Sequence, residues 1–167
     1  MADHIEMIEL TPAGSDLLQK LPLFSKLSFG ETQELSAISH LEQYETGKTI
    51  IEQDSLGAGL FVIRQGSAKV RRRDIVSGEV RELATLGEGE LFGEMSLIED
   101  QLVSADVQAA TAVEVLHIPR QEFERLIAGN LALAVKIYKS FLRTLSERLR
   151  KANARLAEAD AKKKAGA

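Results

Sequence analysis

The pattern of apolar and polar positions divides the chain into a helical start, a middle of short strands and a helical end. After Glu42, short β-branched or aromatic runs such as Thr49–Ile51 and Leu60–Ile63 are separated by recurring glycines. Gln65-Gly66 and Ser77-Gly78 favour tight hairpin turns, because glycine adopts positive φ without steric cost. Many short strands with regular turn signals indicate an antiparallel sandwich or barrel. The last two strands are predicted over Ala105–Ala109 and Val113–Ile118.

Helical spacing marks both flanks of this middle part. Ser15-Asp16 predicts a helix cap, and Gly30-Glu31 predicts the opening of a second short helix. Behind the strands, a helix around Glu122–Ile127 should end at Gly129-Asn130.

The long helix predicted from Leu131 to about Leu156 carries an apolar stripe at spacings of three and four. Such a stripe is typical of a coiled-coil seam. Its first turns can pack on the chain's own barrel, whereas the distal half has no evident cover, so we expect a homodimer formed by paired copies of this helix. The stripe consists of Val135, Tyr138, Leu142, Leu145, Leu149, Ala152 and Leu156.

Composition and charge narrow the function classes. The chain of 167 residues is 44% hydrophobic and 28% charged and has no cysteine, which removes thiol catalysis and cysteine-based metal sites. No apolar run approaches the ~20 residues of a membrane span, and we expect a cytoplasmic protein. The segment from Lys139 onward carries a net charge of +6 and the rest −10. The acidic body argues against direct nucleic-acid binding.

No catalytic or metal-binding constellation emerges. His4, His40 and His117 are not at metal-ligand spacing from one another. The glycine-rich stretch Gly87–Gly93 differs from a dinucleotide fingerprint, because its last glycine lies one place too far along and no βαβ unit surrounds it. We therefore do not expect an enzyme.

The segment Gly89–Ala109 is the most informative part of the chain. Phe92-Gly93-Glu94 leaves a strand and enters a short helix predicted from Met95 to about Ile98. This segment resembles the phosphate-binding cassette of the cyclic nucleotide-binding domain family. The resemblance covers about residues 20–155. It also includes Leu23-Phe24, Gly47, Leu60–Ile63 with Gly66, and Leu86–Gly89.

By this resemblance, the cassette supplies most of a ligand site. It implies that Glu94 accepts the ribose 2′-hydroxyl of a cyclic nucleotide. It also implies that the backbone N–H groups of Gly93, Met95 and Ser96 face the cyclic phosphate, and that Ser104 and Ala105 are the small pair that closes the cassette. The family's phosphate-clamping arginine falls on Val103.

The valine at position 103 has a large expected effect. Removing one partner of a buried charge pair costs ~2–5 kcal/mol, which weakens binding by roughly 30-fold to a few thousand-fold. No arginine or lysine lies between Glu94 and Arg120. An arginine from a neighbouring strand is the remaining source of charge, although most of these alternate with apolar residues and are expected to point outward: Arg64, Arg71 to Arg73 and Arg81.

On the long helix, the family's base-covering positions fall around Arg148 and Leu149. Arg148 either contacts a base or, as we favour, flanks the dimer seam as a g-position arginine.

Together these observations predict a mainly β fold with helices: an antiparallel, jelly-roll-like β-roll flanked by N-terminal helices and a long C-terminal helix. The expected divisions are an N-terminal extension (1–19), the β-roll domain (20–130), the dimerisation helix (131–158) and a flexible tail (159–167). The resemblance implies a sensor or regulatory module without a DNA-binding domain, with weak or altered binding of cAMP or cGMP. The alternative is a protein-interaction scaffold that has lost nucleotide binding and docks a regulatory partner.

Overall fold

Eight antiparallel strands form the centre of the molecule, for which we describe residues 18–99 and 101–165 of a computed structural model. The strands are β1 (His40–Tyr44), β2 (Thr49–Ile51), β3 (Gly59–Gln65), β4 (Ala68–Arg73), β5 (Val80–Leu86), β6 (Leu91–Phe92), β7 (Asp106–Ala109) and β8 (Val113–Pro119). One sheet has the order β1-β8-β3-β6 and the other β2-β7-β4-β5. Each sheet draws its strands from distant parts of the chain, so the predicted antiparallel β-roll is confirmed.

Helices flank the roll, together with helical residues 18–20 and a 3-10 turn at Pro22–Phe24. They are α1 (Phe29–Ala37), α2 (Glu94–Ile98), α3 (Arg120–Gly129) and α4 (Leu131–Ala165). None of these helices is long and apolar enough to cross a lipid bilayer.

Helix α1 begins earlier than the predicted opening at Gly30-Glu31, because Ser28 caps it. The Ser28 hydroxyl accepts the Glu31 N–H at 3.3 Å, and the Glu31 carboxylate accepts the Ser28 N–H at 2.7 Å. This reciprocal pair is a capping box, which satisfies backbone donors that a helix leaves open. The other predicted cap, Ser15-Asp16, lies outside the described residues.

Strand β1 begins at His40, shortly after helix α1 ends at Ala37. It pairs with β8 along its whole length, and a buried polar cluster fixes the pair. The Glu42 carboxylate lies 2.7 Å from His117 Nδ1 and accepts the Tyr44 hydroxyl at 2.6 Å. Burial alone would raise the pKa of Glu42, but the hydrogen bonds from His117 and Tyr44 outweigh it and lower that pKa. These side chains therefore stabilise the sheet, and none lines the cavity described below.

Helix α4 joins the core through its first three turns. Leu133, Ile137 and Phe141 are fully buried with Leu116 and Ile118 of β8. The predicted barrel contact of the stripe is confirmed only for Tyr138, which packs against the core. The fully buried side chains of the helix lie at 133, 137 and 141 instead. The stripe residues Leu142, Leu149 and Leu156 are 63%, 62% and 65% exposed.

The prediction that the long helix ends near Leu156 is also wrong. Helix α4 continues to Ala165, so the predicted tail is helical over residues 159–165. Alanine, lysine and glutamate are strong helix formers, and Lys162, Lys163 and Lys164 lie in the last turn, where cations interact favourably with the helix dipole. The residues beyond 165 lie outside the described part.

Candidate functional site

A cavity of about 530 Å³ lies at the end of the roll, between the second sheet, helix α2 and the far half of helix α4. Most of the residues predicted for the ligand site line it. They are Gly93, Glu94, Met95, Ser96, Val103, Ser104, Ala105 and Arg148. Apolar side chains form much of the remaining wall, among them Ile51, Val70, Leu86, Phe92 and Val107.

Gly93 makes the sharp entry from β6 into α2 possible. Its φ is +85°, a left-handed conformation that favours glycine. A Cβ atom at this position would lie 2.3 Å from the carbonyl oxygen of Gly59. The Ser96 hydroxyl donates to the Gly93 carbonyl at 2.8 Å and closes the turn from the other side. The Phe-Gly-Glu sequence thus folds locally as the cassette resemblance implies.

Glu94 lies inside the cavity wall and pairs with helix α4. Its side chain is only 2% exposed, and its Oε1 accepts a hydrogen bond from Arg148 Nη1 at 2.5 Å. Arg148 Nη2 donates to the carbonyl oxygen of Leu91. Burial raises the pKa of the Glu94 carboxyl above its ordinary value, and the Arg148 guanidinium offsets only part of this effect. The ion pair therefore fastens the long helix to the cassette.

Val103, the position to which the resemblance assigns the clamping arginine, is held by backbone hydrogen bonds. Its carbonyl accepts the Asp54 N–H at 2.8 Å, and its N–H donates to the Ser55 carbonyl at 3.0 Å. Its side chain is partly buried against the second core cluster, next to buried Ala105, whereas Ser104 is exposed. Among residues 18–99 and 101–165, no lysine or arginine side chain from the strands or the cassette lines this part of the cavity wall.

None of the strand arginines considered as substitutes lines the cavity. Arg64 pairs with Glu114 on the outer surface, and Arg71 donates to the Gln108 side chain at 2.7 Å. Arg81 pairs with Glu79 at 2.9 Å, and Arg73 lies 3.9 Å from Asp106. The expected outward orientation explains their absence from the wall.

Of the two positions predicted on the long helix, Arg148 lines the cavity and Leu149 does not. Arg148 reaches the cavity and pairs with the Glu94 carboxylate, a contact that the interpretation as a seam-flanking arginine did not include. Leu149 does not line the cavity and is exposed, because one residue along a helix turns the side chain by about 100°.

Sequence reasoning missed three further helix residues that line the cavity: Lys151, Ala152 and Arg155, of which only Ala152 was noted, as a seam position. A signal for them was present. Continuing the buried series Leu133, Ile137 and Phe141 at spacings of three and four leads to 148, 151 or 152, and 155.

No group of three or more histidine, aspartate or glutamate side chains within residues 18–99 and 101–165 is arranged to hold a metal ion. The polar side chains of the cavity wall come from the segment Gly89–Ala109, from Thr85 of β5 and from helix α4.

Comparison with known proteins matches this geometry. A family model described as cyclic nucleotide-binding domain matches residues 41–130. The chain is 36% identical over 106 residues to the cyclic AMP receptor protein of Thermus thermophilus, covering 64% of this chain and 49% of that protein. It is 33% identical over 124 residues to a cGMP-dependent protein kinase of Caenorhabditis elegans, covering 74% of this chain and 16% of the kinase. The chain thus spans half or less of these relatives.

Among solved structures, the regulatory subunit of a cAMP-independent protein kinase A from Trypanosoma brucei is similar. The identity is 26% and the TM-score 0.68, over 77% of this chain and 44% of that one. A variant of the same subunit with three substitutions, one of which introduces an arginine in place of a threonine, has been solved with cAMP in its A site.

Proposed function

Because the chain belongs to the cyclic nucleotide-binding domain family, we propose that it is a sensor or regulatory module whose cavity takes a small ligand and binds cAMP or cGMP only weakly. One observation carries this proposal. The cavity gathers the cassette residues from Gly93 to Ser96 around an open space, but a valine stands at the arginine position. The module then reports on its ligand through helix α4, which Arg148 joins to the cassette.

The weak affinity for cyclic nucleotides follows from the wall around Val103. Among the described residues, no cation reaches this wall from the strands, and Val103 offers no hydrogen-bond donor in its side chain. The similar trypanosome subunit supports the proposal, since its parent form is called cAMP-independent and its arginine-bearing variant is the one solved with cAMP.

The test is calorimetric titration of the protein and its Val103→Arg variant with cAMP, cGMP and cyclic di-GMP. We expect binding of cAMP at tens of micromolar or weaker before the substitution, and binding at least ~30-fold tighter after it, because a guanidinium forms a planar fork that matches two phosphate oxygens. Val103→Met is the control, since it adds length without charge.

Either of two results contradicts this proposal. Tight cAMP binding by the unsubstituted protein means that another group supplies the positive charge. A folded Val103→Arg variant without any gain, together with no heat from any of the three nucleotides, favours the alternative function, a protein-interaction scaffold that docks a regulatory partner.

The proposal includes a homodimer formed through helix α4. Its support is the row of Leu142, Leu149 and Leu156, which remain exposed along one side of the helix after its first turns have joined the core. A second copy of the same helix would bury this row as a coiled-coil seam.

A further inference from the structure

The positive charge at the cavity comes entirely from helix α4 within the described residues. Arg148, Lys151 and Arg155 line the cavity, and no other arginine or lysine does. Their spacings of three and four place them on one face of the helix. From Arg148 to Arg155 this face extends about 10 Å along the helix axis. The cavity therefore has a cassette end at Glu94 and a distal end, which we define by Lys151 and Arg155.

The two cations of the distal end are not neutralised. Lys151 has no hydrogen-bond or ion-pair partner among the residues described, and Arg155 makes a single long hydrogen bond of 3.4 Å to the Leu83 carbonyl of β5. Lys151 and Arg155 are four residues apart, and like charges at this spacing destabilise a helix. An anion placed between them would remove that repulsion.

The carboxylates of the cavity wall do not reach the distal cations. Glu94 is paired with Arg148. Glu90 accepts the Gly87 N–H at 2.8 Å in the turn before β6, and Glu99 follows α2 on the cassette side. Neither forms an ion pair with helix α4 in the described residues.

Much of the remaining cavity wall is apolar. It includes the side chains of Val70, Leu86, Phe92 and Val107. A ligand that fills the cavity needs an apolar body, whereas its charged group is accommodated only where cations are available. In the cassette the arginine position is a valine, so the charged group fits the distal end instead.

Resting on the proposed function, we propose that the cavity binds an organic anion with an apolar, ring-containing body, whose carboxylate, phosphate or sulfonate contacts Lys151 and Arg155 on helix α4. This places the anionic group at the distal end, about 5–10 Å along the helix axis beyond Arg148. Lys151 and Arg155 then determine ligand specificity, because they contact the negative charge of the ligand. That charge is thereby bound directly by the long helix.

Two fluorescent probes that share one ring system test this arrangement. The first is 8-anilinonaphthalene-1-sulfonate, which carries a sulfonate, and the second is N-phenyl-1-naphthylamine, which is neutral. We expect the Lys151→Gln/Arg155→Gln variant to bind the sulfonate about two- to thirtyfold more weakly, since two exposed ion pairs together contribute ~0.4–2 kcal/mol. Its affinity for the neutral probe should not change.

The matched control is Arg143→Gln/Arg150→Gln. It removes two positive charges from the same helix at positions that do not line the cavity, and both probes should bind it as they bind the unsubstituted protein. All titrations are repeated with Leu149→Gln and Leu156→Gln added, so that probe bound to the exposed leucines is not counted.

Three results would overturn the distal anion site. They are an equal loss of sulfonate affinity in the two charge variants, no loss in either variant, and no sulfonate binding at all. The proposed function is judged separately by the Val103→Arg titration with cAMP. If Val103→Arg binds cAMP more tightly while Lys151→Gln/Arg155→Gln binds the sulfonate as before, the sensor function is retained and only the distal anion site is rejected.

Discussion

The two halves of helix α4 have the same secondary structure and opposite environments. In the near half, Leu133, Ile137 and Phe141 are fully buried in the roll. In the far half, every residue from Leu149 to Lys164 is exposed, and contact with the domain is limited to Arg148 and the cavity-lining side chains. The near half therefore belongs to the folded core, whereas the far half is available to a ligand or to a second chain.

The largest expected contrast lies at two adjacent positions of the near half, one on its buried face and one on its exposed face. Phe141→Ala should lower the free energy of unfolding by ~3–5 kcal/mol, because it leaves a cavity in the core. Leu142→Ala, one residue further, removes an exposed side chain. It should lower the free energy of unfolding only to the extent that Leu142 contacts the second copy of a dimer. Chemical denaturation at several protein concentrations checks this: the Phe141 loss should not depend on concentration. Losses of similar size at both positions at low protein concentration would contradict the assignment of Phe141 to the buried face and of Leu142 to the exposed face.

The far half should carry the dimer contact. We expect the Leu149→Glu/Leu156→Glu variant to be monomeric, because each substitution places a charge in an apolar seam. Both leucines are exposed in the single chain, so the fold should survive, as circular dichroism can show. Light scattering measures the mass. A monomeric unsubstituted protein, or a variant that remains dimeric, would reject the seam.

The smallest expected effect concerns the junction of the halves. Arg148→Gln should cost about 1–2 kcal/mol of stability at neutral pH, because it leaves the buried Glu94 carboxylate without its charged partner. Burial raises the pKa of Glu94 in the folded state, so the folded protein binds this proton more tightly than the unfolded chain does. The cost should therefore shrink as the pH falls through the raised pKa of Glu94 towards the ordinary carboxyl range.

Unfolding curves between neutral and acidic pH measure the Arg148 effect, and Arg150→Gln is the control from the same turn. A cost that stays constant or grows on acidification would show that Arg148 acts through packing of its side chain and not through the charge of Glu94.

The roll and the cassette could be predicted from the sequence because local signals define them. Positive-φ glycines mark the turns, and Phe92-Gly93-Glu94 marks the entry into α2. The orientation of helix α4 could not be derived in the same way. Its near half is apolar on two faces, one with Leu133 and Ile137 and one with Val135 and Leu142, and only packing on the sheet decides which face is buried. That choice also directs Arg148, Lys151 and Arg155 to the cavity.

The close approach at Gly93 has a consequence for how such chains diverge. A side chain at Gly93 would collide with the Gly59 backbone, so its replacement damages folding, whereas position 103 at the cavity rim accommodates valine. Replacement of Gly93 is therefore limited by the backbone itself, whereas the side chain at position 103 can vary without disturbing that contact. The residue at position 93 therefore reflects the fold of the chain, and the residue at position 103 reflects the ligand that the cavity takes.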